Sequence, residues 1–249
     1  MLSKSQISFL KSLQQKKGRK EHRLFLVEGI KSVTEFINSD YHIETIYHTP
    51  ALGPKLLKLS QKINLREIPA NILEKISSFT TPQDVIALIK IPQWAKTETA
   101  APRQSFTLAL DGIQDPGNLG TIIRTADWFG IKNIICSEDT VDAYNPKVVQ
   151  ATMGSLARVN IHYLNLADFI RQTKLPVFGA LLAGSNIYNT DFGTEGLVVM
   201  GNEGNGIRAE IEELIQHRVT IPQPGKTESL NVAIATAIFC SEISRKTLK

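Results

Sequence analysis

FTLALDGIQDPGNLGTIIRTADWF, residues 106–129, decides the fold class. An uncharged apolar run, FTLAL, ends at Asp111. Pro116, Gly117 and Asn118 then make a turn, and Leu119, Ile122, Ile123 and Ala126 recur at helical spacing. A short unbroken apolar strand followed by an amphipathic helix is the repeating unit of a parallel sheet covered on both faces. The unit recurs downstream as NIICSE (133–138), VNIHYL (159–164), PVFGALLAG (176–184), LVVMG (197–201) and VTIPQ (219–223). Helices are predicted around Pro146 to Met153, near Asp168, near Ile211, and over a long terminal stretch from Glu228.

Upstream the alternation is shorter. Strands are predicted at LFLVEG (24–29), IETIYHT (43–49), NLREIP (64–69) and DVIALIKIP (84–92), with helices around Ser32 to Ile37, Lys55 to Leu59 and Ile72 to Ile76. Ser3 and Gln6 have capping-box spacing, so the chain opens with an amphipathic helix through Ile7, Leu10 and Leu13 that Gly18 is expected to end. Between the two halves QWAKTETAAPRQS (93–105) loses periodicity and gathers small, polar and proline residues, which marks a linker. The expected organisation is a small α/β sandwich over residues 1–94, a linker over 95–104, and a parallel-sheet α/β domain over 105–249.

The 249 residues, 42% hydrophobic, are enough for two domains that fold without staples. Cys136 and Cys240 lie in no CxxC or Cys/His cluster, so no metal site is expected and both read as buried thiols. No segment approaches the apolar length needed to span a bilayer, and the N-terminus lacks a signal-peptide core; the expectation is a cytoplasmic protein with no membrane partner. Charge is unevenly divided. Residues 1–104 hold 16 Lys+Arg against 9 Asp+Glu, a net +7, whereas the remainder is net −3. Lys11, Lys16, Lys17, Arg19, Lys20 and Arg23 crowd one short stretch opposed only by Glu21, the pattern of a phosphate-backbone contact. A solvated helix face is the plainer explanation of such a run.

Ligands of open parallel sheets bind beyond the carboxyl ends of strands, so three loops carry the functional reading. In DGIQDPGNLGTIIR, Arg124 lies off the buried helix stripe. In GNEGNGI, Gly201, Gly204 and Gly206 follow an apolar strand directly, where backbone amides can approach a ligand. This is not GxGxxG, which disfavours a dinucleotide oxidoreductase or a Rossmann-type methyltransferase. In IPQPGKTESLNVAIATAIF, Gly225, Lys226 and Thr227 imitate the end of a P-loop, but Thr220 stands where that motif needs glycine, and Pro222 and Pro224 remove amide donors; an ATPase is disfavoured. Ser229 and Asn231 open an apolar helix, where capping alone would account for them.

Jointly and in order, the three loops resemble the motifs of the SpoU/TrmH family of RNA 2′-O-methyltransferases, within the SPOUT superfamily. Asn118, Gly120 and Arg124 match the first motif, Gly201, Glu203, Gly204 and Gly206 the second, and Ile221, Pro222, Ser229, Leu230 and Asn231 the third. RLFLVEGIKSV looks like the substrate-binding domain often fused ahead of this one. The resemblance implies a ribosomal-protein-L30e-like N-terminal domain, a catalytic domain threaded into a trefoil knot, a homodimer, and an RNA substrate, ribosomal or transfer. It further implies S-adenosylmethionine bound by main-chain groups at Gly201, Ile221 and Leu230, with Gly204, Gly206 and Gln223 beside them. Gln223 departs from the family, which commonly has methionine there. Thr152, in ATMGSL, stands where a serine is frequent, and the resemblance implies that it supplies a similar hydroxyl.

By the same resemblance Arg124, with Asn118, Glu203, Ser229 and Asn231, carries catalysis. A guanidinium keeps its proton in proteins, so the role that suits it is to clamp phosphate, orient the 2′-hydroxyl and stabilise developing oxyanion charge. An RNA-binding assembly factor that keeps the fold without activity is the rival reading.

Overall fold

The computed structural model describes residues 2–53, 56, 63–93 and 104–245. Of the helix expected around Lys55 to Leu59 only Leu56 is described, and of the linker expected over 95–104 only Gln104; the rest lie outside the described residues. The chain divides into two compact units. One takes residues 1–93 together with 142–157, the other 94–141 and 158–249. Segment 142–157 therefore clusters with the N-terminal residues, although its sequence position groups it with the C-terminal part.

The first unit opens with α1 (Lys4–Ser12), whose Ser3–Gln6 capping box is formed as the spacing predicts. Gly18 does not end that helix. It lies inside a separate helix, α2 (Lys16–His22), where any Cβ would overlap the carbonyl of Ser12, so only glycine allows the two helices this close. There follow β1 (Leu24–Glu28), α3 (Ile30–Ile37), β2 (Ile43–His48), β3 (Leu65–Glu67), α4 (Ala70–Ile76) and β4 (Val85–Lys90). The four strands form a mixed sheet in the order β1-β4-β2-β3, antiparallel except for β2 with β3. Leu10 and Leu13 pack with Leu26, Tyr47, Ile86 and Leu88 of the sheet and with Leu73 and Ile76 of α4. The helix stripe and the strand face thus close one core. From the far segment, α6 (Pro146–Ala151) also belongs to this unit, and the Tyr144 ring lies 4.8 Å from that of Phe25.

The second unit contains β5 (Phe106–Leu110), α5 (Pro116–Trp128), β6 (Asn133–Ser137), β7 (Asn160–Leu164), α7 (Leu166–Gln172), β8 (Val177–Asn186), β9 (Gly196–Met200), α8 (Ala209–Glu212), β10 (His217–Thr220) and α9 (Val232–Ser244). Its six strands are all parallel, in the order β10-β8-β9-β5-β6-β7. Ala109, Ile135, Leu197 and Val199 face Leu166, Ala167 and Ile170 of α7 and Ile211 of α8. The alternate residues Leu108, Leu110, Val198 and Met200 are equally buried, which is why these strands read as unbroken apolar runs. Because all the strands are parallel, the carboxyl ends of β5, β9 and β10 lie at the same end of the sheet, β5 beside β9 and only β8 between β9 and β10.

Candidate active site

The first loop is locked by its own helix start. Asp115 is the N-cap of α5 and its carboxylate accepts from Asn118 N at 2.8 Å, with Pro116 at the first helical position. Pro116 to Asn118, read as a turn in the sequence, are thus the first turn of the helix. This places Asn118 at the helix mouth, and Arg124, almost two turns on, exposed at the surface. Leu119, Ile122, Ile123 and Ala126 are fully buried, as their spacing requires.

The second loop folds back on itself. Asn202 and Gly206 exchange two backbone hydrogen bonds of 2.8 and 3.0 Å, and the Asn202 side chain accepts from Gly204 N and Asn205 N. The glycines have distinct reasons. A Cβ on Gly201 would overlap the backbone of Gly206 and Ile207, and Gly206 has φ of +69°, whereas Gly204 has room for a side chain. At its base Arg208 donates from its backbone N and from Nε to Asp111, at 2.8 and 2.7 Å, and Asp111 is 1% exposed. Hydrogen bonding to Asp111 holds the Arg208 guanidinium above its ordinary value. Asn202 Nδ2 also donates to Gly112 O at 2.7 Å, tying the second loop to the first.

The third loop leads to α9, which begins four residues later than the sequence suggested. Its N-cap is Asn231, whose Oδ1 accepts from Ala233 N and Ile234 N; Ser229 caps nothing. Asn231 does more than cap. Its Nδ2 donates to Asn118 Oδ1 at 2.9 Å, and Asn118 Nδ2 donates to Glu203 Oε1 at 2.9 Å. Glu203 also receives the backbone N–H groups of Gln114 and Asp115. One chain of side-chain bonds therefore runs through all three loops.

Beside it lies a cavity of about 690 Å³. Gly201, Glu203, Gly204, Gly206, Ile221, Gln223, Ser229 and Leu230 line it, together with Leu181, Ile207, Val232 and Phe239. Gln223 turns its amide to the Thr227 carbonyl. Asn118, Asn231 and Arg124 are not among the lining residues, and no hydrogen bond or ion pair of the Arg124 side chain occurs among the described residues. Two expectations are corrected. Thr152 is wholly buried and its hydroxyl donates to Val149 O, so it is spent on its own helix end. Arg19 is 2% exposed, pairs with Asp142 at 2.7 Å and donates to the carbonyls of Leu13 and Gln14, so it is not a phosphate contact. Lys16, Lys17, Lys20 and Arg23 remain exposed.

Asp111, Asn202 and Arg208 escaped the sequence reading. Only Asp111 left a signal, an acid closing an apolar strand that is buried on both faces.

Residues 105–241 match the SpoU rRNA Methylase family. The chain belongs to that family. The likeness of the three loops to SpoU motifs is thereby borne out. Residues 4–87 match the MRM3-like substrate binding domain. Among relatives, a 23S rRNA (guanosine(2553)-2′-O)-methyltransferase of Bacillus subtilis is 31% identical over 92% of this chain and 92% of its own. A TrmH-family protein of Porphyromonas gingivalis superposes with a TM-score of 0.90 at 42% identity, covering 99% of each chain. The AdoMet-bound rRNA methyltransferase of Sinorhizobium meliloti superposes equally well, at 0.90 with 31% identity, over 100% of this chain and 98% of that one. SpoU membership also weighs against the dinucleotide and ATPase readings. Among the described residues no group of His, Cys, Asp and Glu is arranged to hold a metal ion, and no helix is long and apolar enough to cross a membrane.

Proposed function

We propose that this SpoU protein transfers a methyl group from S-adenosylmethionine to a ribose 2′-hydroxyl of structured RNA, ribosomal or transfer. The observation that carries the site assignment is the bond chain from Glu203 through Asn118 to Asn231, which fastens three sequence-distant loops to one another beside a cavity that the second and third of them line. The cavity suits the cofactor: its volume is that of a small-molecule pocket, with apolar walls at Leu181, Ile207, Leu230 and Phe239 for a nucleoside and thioether. Backbone groups at Gly201, Ile221 and Leu230 would read the adenine edge, with Gly204, Gly206 and Gln223 alongside. The cofactor supplies a methyl on a sulfonium sulfur; transfer forms the O–CH₃ bond, leaves a neutral thioether and releases the hydroxyl proton to water.

The protein's own part is positioning and charge. Arg124, exposed and free of partners among the described residues, clamps an RNA phosphate and steadies the oxygen as charge develops on it. Asn118, Glu203 and Asn231 hold the loops that carry the cofactor, and Ser229 lines the cavity with an exposed hydroxyl.

In this reading residues 1–94, an L30e-like domain, bind RNA through Lys16, Lys17, Lys20 and Arg23; 95–104 link; and 105–249 form the knotted catalytic domain, in a cytoplasmic homodimer. Ile234 is exposed on α9 while Val232, Ala233, Phe239 and Ile243 of the same helix are buried, and this exposed apolar side chain supports a partner subunit there. Sedimentation velocity would read the dimer directly, and an active monomer would remove it as a requirement.

Calorimetric titration with S-adenosylmethionine, followed by mass spectrometry of RNA nucleosides after incubation with the cofactor, tests the function. Cofactor affinity and a new 2′-O-methylated nucleoside are expected. Affinity for RNA with neither would favour the assembly-factor reading.

A further inference from the structure

Three charged side chains line the cavity: Glu203, Glu212 and Arg218. Glu203 is committed to Asn118 and to the backbone of the first loop. Glu212 and Arg218 are not part of that network. They pair with each other at 2.6 Å, half-exposed, on α8 and β10. The backbone at Arg218 is held firmly. β10 pairs with β8 on both sides of a register shift between Arg218 and Val219, and a Cβ on Gly184 would overlap the Arg218 carbonyl, so the strands touch there with no side chain between them.

The pair has a chemistry that the rest of the cavity lacks. S-adenosylmethionine carries one anionic group, the carboxylate of its amino-acid end, next to an ammonium. Arg218 is the one cation among the residues lining the cavity, and Glu212 is the one lining carboxylate outside the Glu203 network. We propose that Arg218 and Glu212 form the subsite for the amino-acid end of the cofactor: the guanidinium receives the carboxylate and Glu212 receives the ammonium. The inference rests on the assignment of this cavity to S-adenosylmethionine. A guanidinium offers two parallel N–H donors to a carboxylate, and the ion pair places a carboxylate acceptor for the ammonium directly beside that guanidinium. The competing view is that this is an ordinary surface ion pair, which contributes little.

The two views separate on ligands that differ only at the amino-acid end. S-Adenosylhomocysteine and 5′-methylthioadenosine share adenosine and a neutral thioether, but only the first has the carboxylate and ammonium. By calorimetry on the full chain, Arg218→Gln should weaken S-adenosylhomocysteine about tenfold or more, the scale of one lost charge-assisted bond, and leave 5′-methylthioadenosine unchanged. Glu212→Gln should show the same selectivity, and Arg218→Lys should recover part of the loss. Thermal melts alongside identify a variant that has merely lost its fold. Equal losses for both ligands, or no loss for S-adenosylhomocysteine, would overturn the subsite while leaving the cavity assignment intact. If the unaltered protein bound neither ligand, the cavity assignment itself would fall and the subsite with it.

Discussion

Asn231 reaches Asn118 with a 2.9 Å hydrogen bond although 113 residues separate them, and Asn118 passes the contact on to Glu203. Asn118→Ala removes the middle of that chain. Because the three groups are at the surface, folding stability should change by no more than about 1 kcal/mol. The second and third loops should loosen, however, and S-adenosylmethionine affinity should fall together with turnover. Calorimetry paired with single-turnover methylation reads both, and unchanged cofactor affinity would show that the chain of bonds does not organise the cavity.

Arg124→Ala should do the reverse. The side chain projects from α5 into solvent, outside the residues lining the cavity, so neither the melting temperature nor cofactor affinity should move. Turnover should fall by a factor on the order of 10² or more, the scale of losing one electrostatic donor. Arg124→Lys keeps the charge without the planar fork; near-normal activity there would mean that a point charge suffices.

The basic stretch should divide into two behaviours. Changing Lys16, Lys17, Lys20 and Arg23 to glutamine should weaken RNA binding and flatten its dependence on salt, with no effect on folding. Arg19→Gln should instead destabilise the protein by roughly 3 kcal/mol, because it leaves the largely buried Asp142 carboxylate without its cation. Salt titrations of RNA affinity and denaturant melts on the two variants check this. A destabilised lysine variant, or an unaffected Arg19 variant, would contradict it.

Gly201→Ala should be costly in place. Its methyl would meet the backbone of Gly206 and Ile207, which cannot swing away as a side chain could. Overpacking of this kind costs about 1–3 kcal/mol, and the displaced 202–206 loop should lower S-adenosylmethionine affinity. Gly204→Ala, with ordinary contacts only, is the matched control for the fold and should melt at the temperature of the unaltered protein.

The central strands β5 and β9 were legible because each is buried on both faces and so reads as an unbroken apolar run, FTLAL and LVVMG. The helices were legible wherever an apolar stripe recurs, and their ends were not. Pro116 and Gly117 signal a turn locally, yet Asp115 caps them into a helix. Asn231 and not Glu228 caps the last helix, and of two polar residues at its mouth, Ser229 and Asn231, the one that caps also bonds Asn118, a contact that no local window contains. Arg19 failed for a related reason: within its own stretch it is one cation among six, and the carboxylate that neutralises it in the interior, Asp142, lies 123 residues away. The motif residues themselves were legible as a set. Asn202 and Arg208 were not, because they serve the shape of the loops and have no individual signature, and Asp111 was marked only by its place at the end of an apolar strand.

Each link from Asn231 to Asn118 to Glu203 points the same way, donor to acceptor, and ends on a carboxylate. The Asn118 amide is thereby oriented from both ends: by Asn231 Nδ2, whose own direction the cap of α9 sets, and by the negative charge of Glu203. Serine or aspartate would cap α9 about as well as Asn231 does, since capping uses only its oxygen. Neither can cap and also donate with an amide nitrogen. The identity of residue 231 is therefore dictated by the polarity of the row it begins: its oxygen is committed to the helix, and only an amide leaves a nitrogen to hand the direction on to Asn118 and, through it, to Glu203.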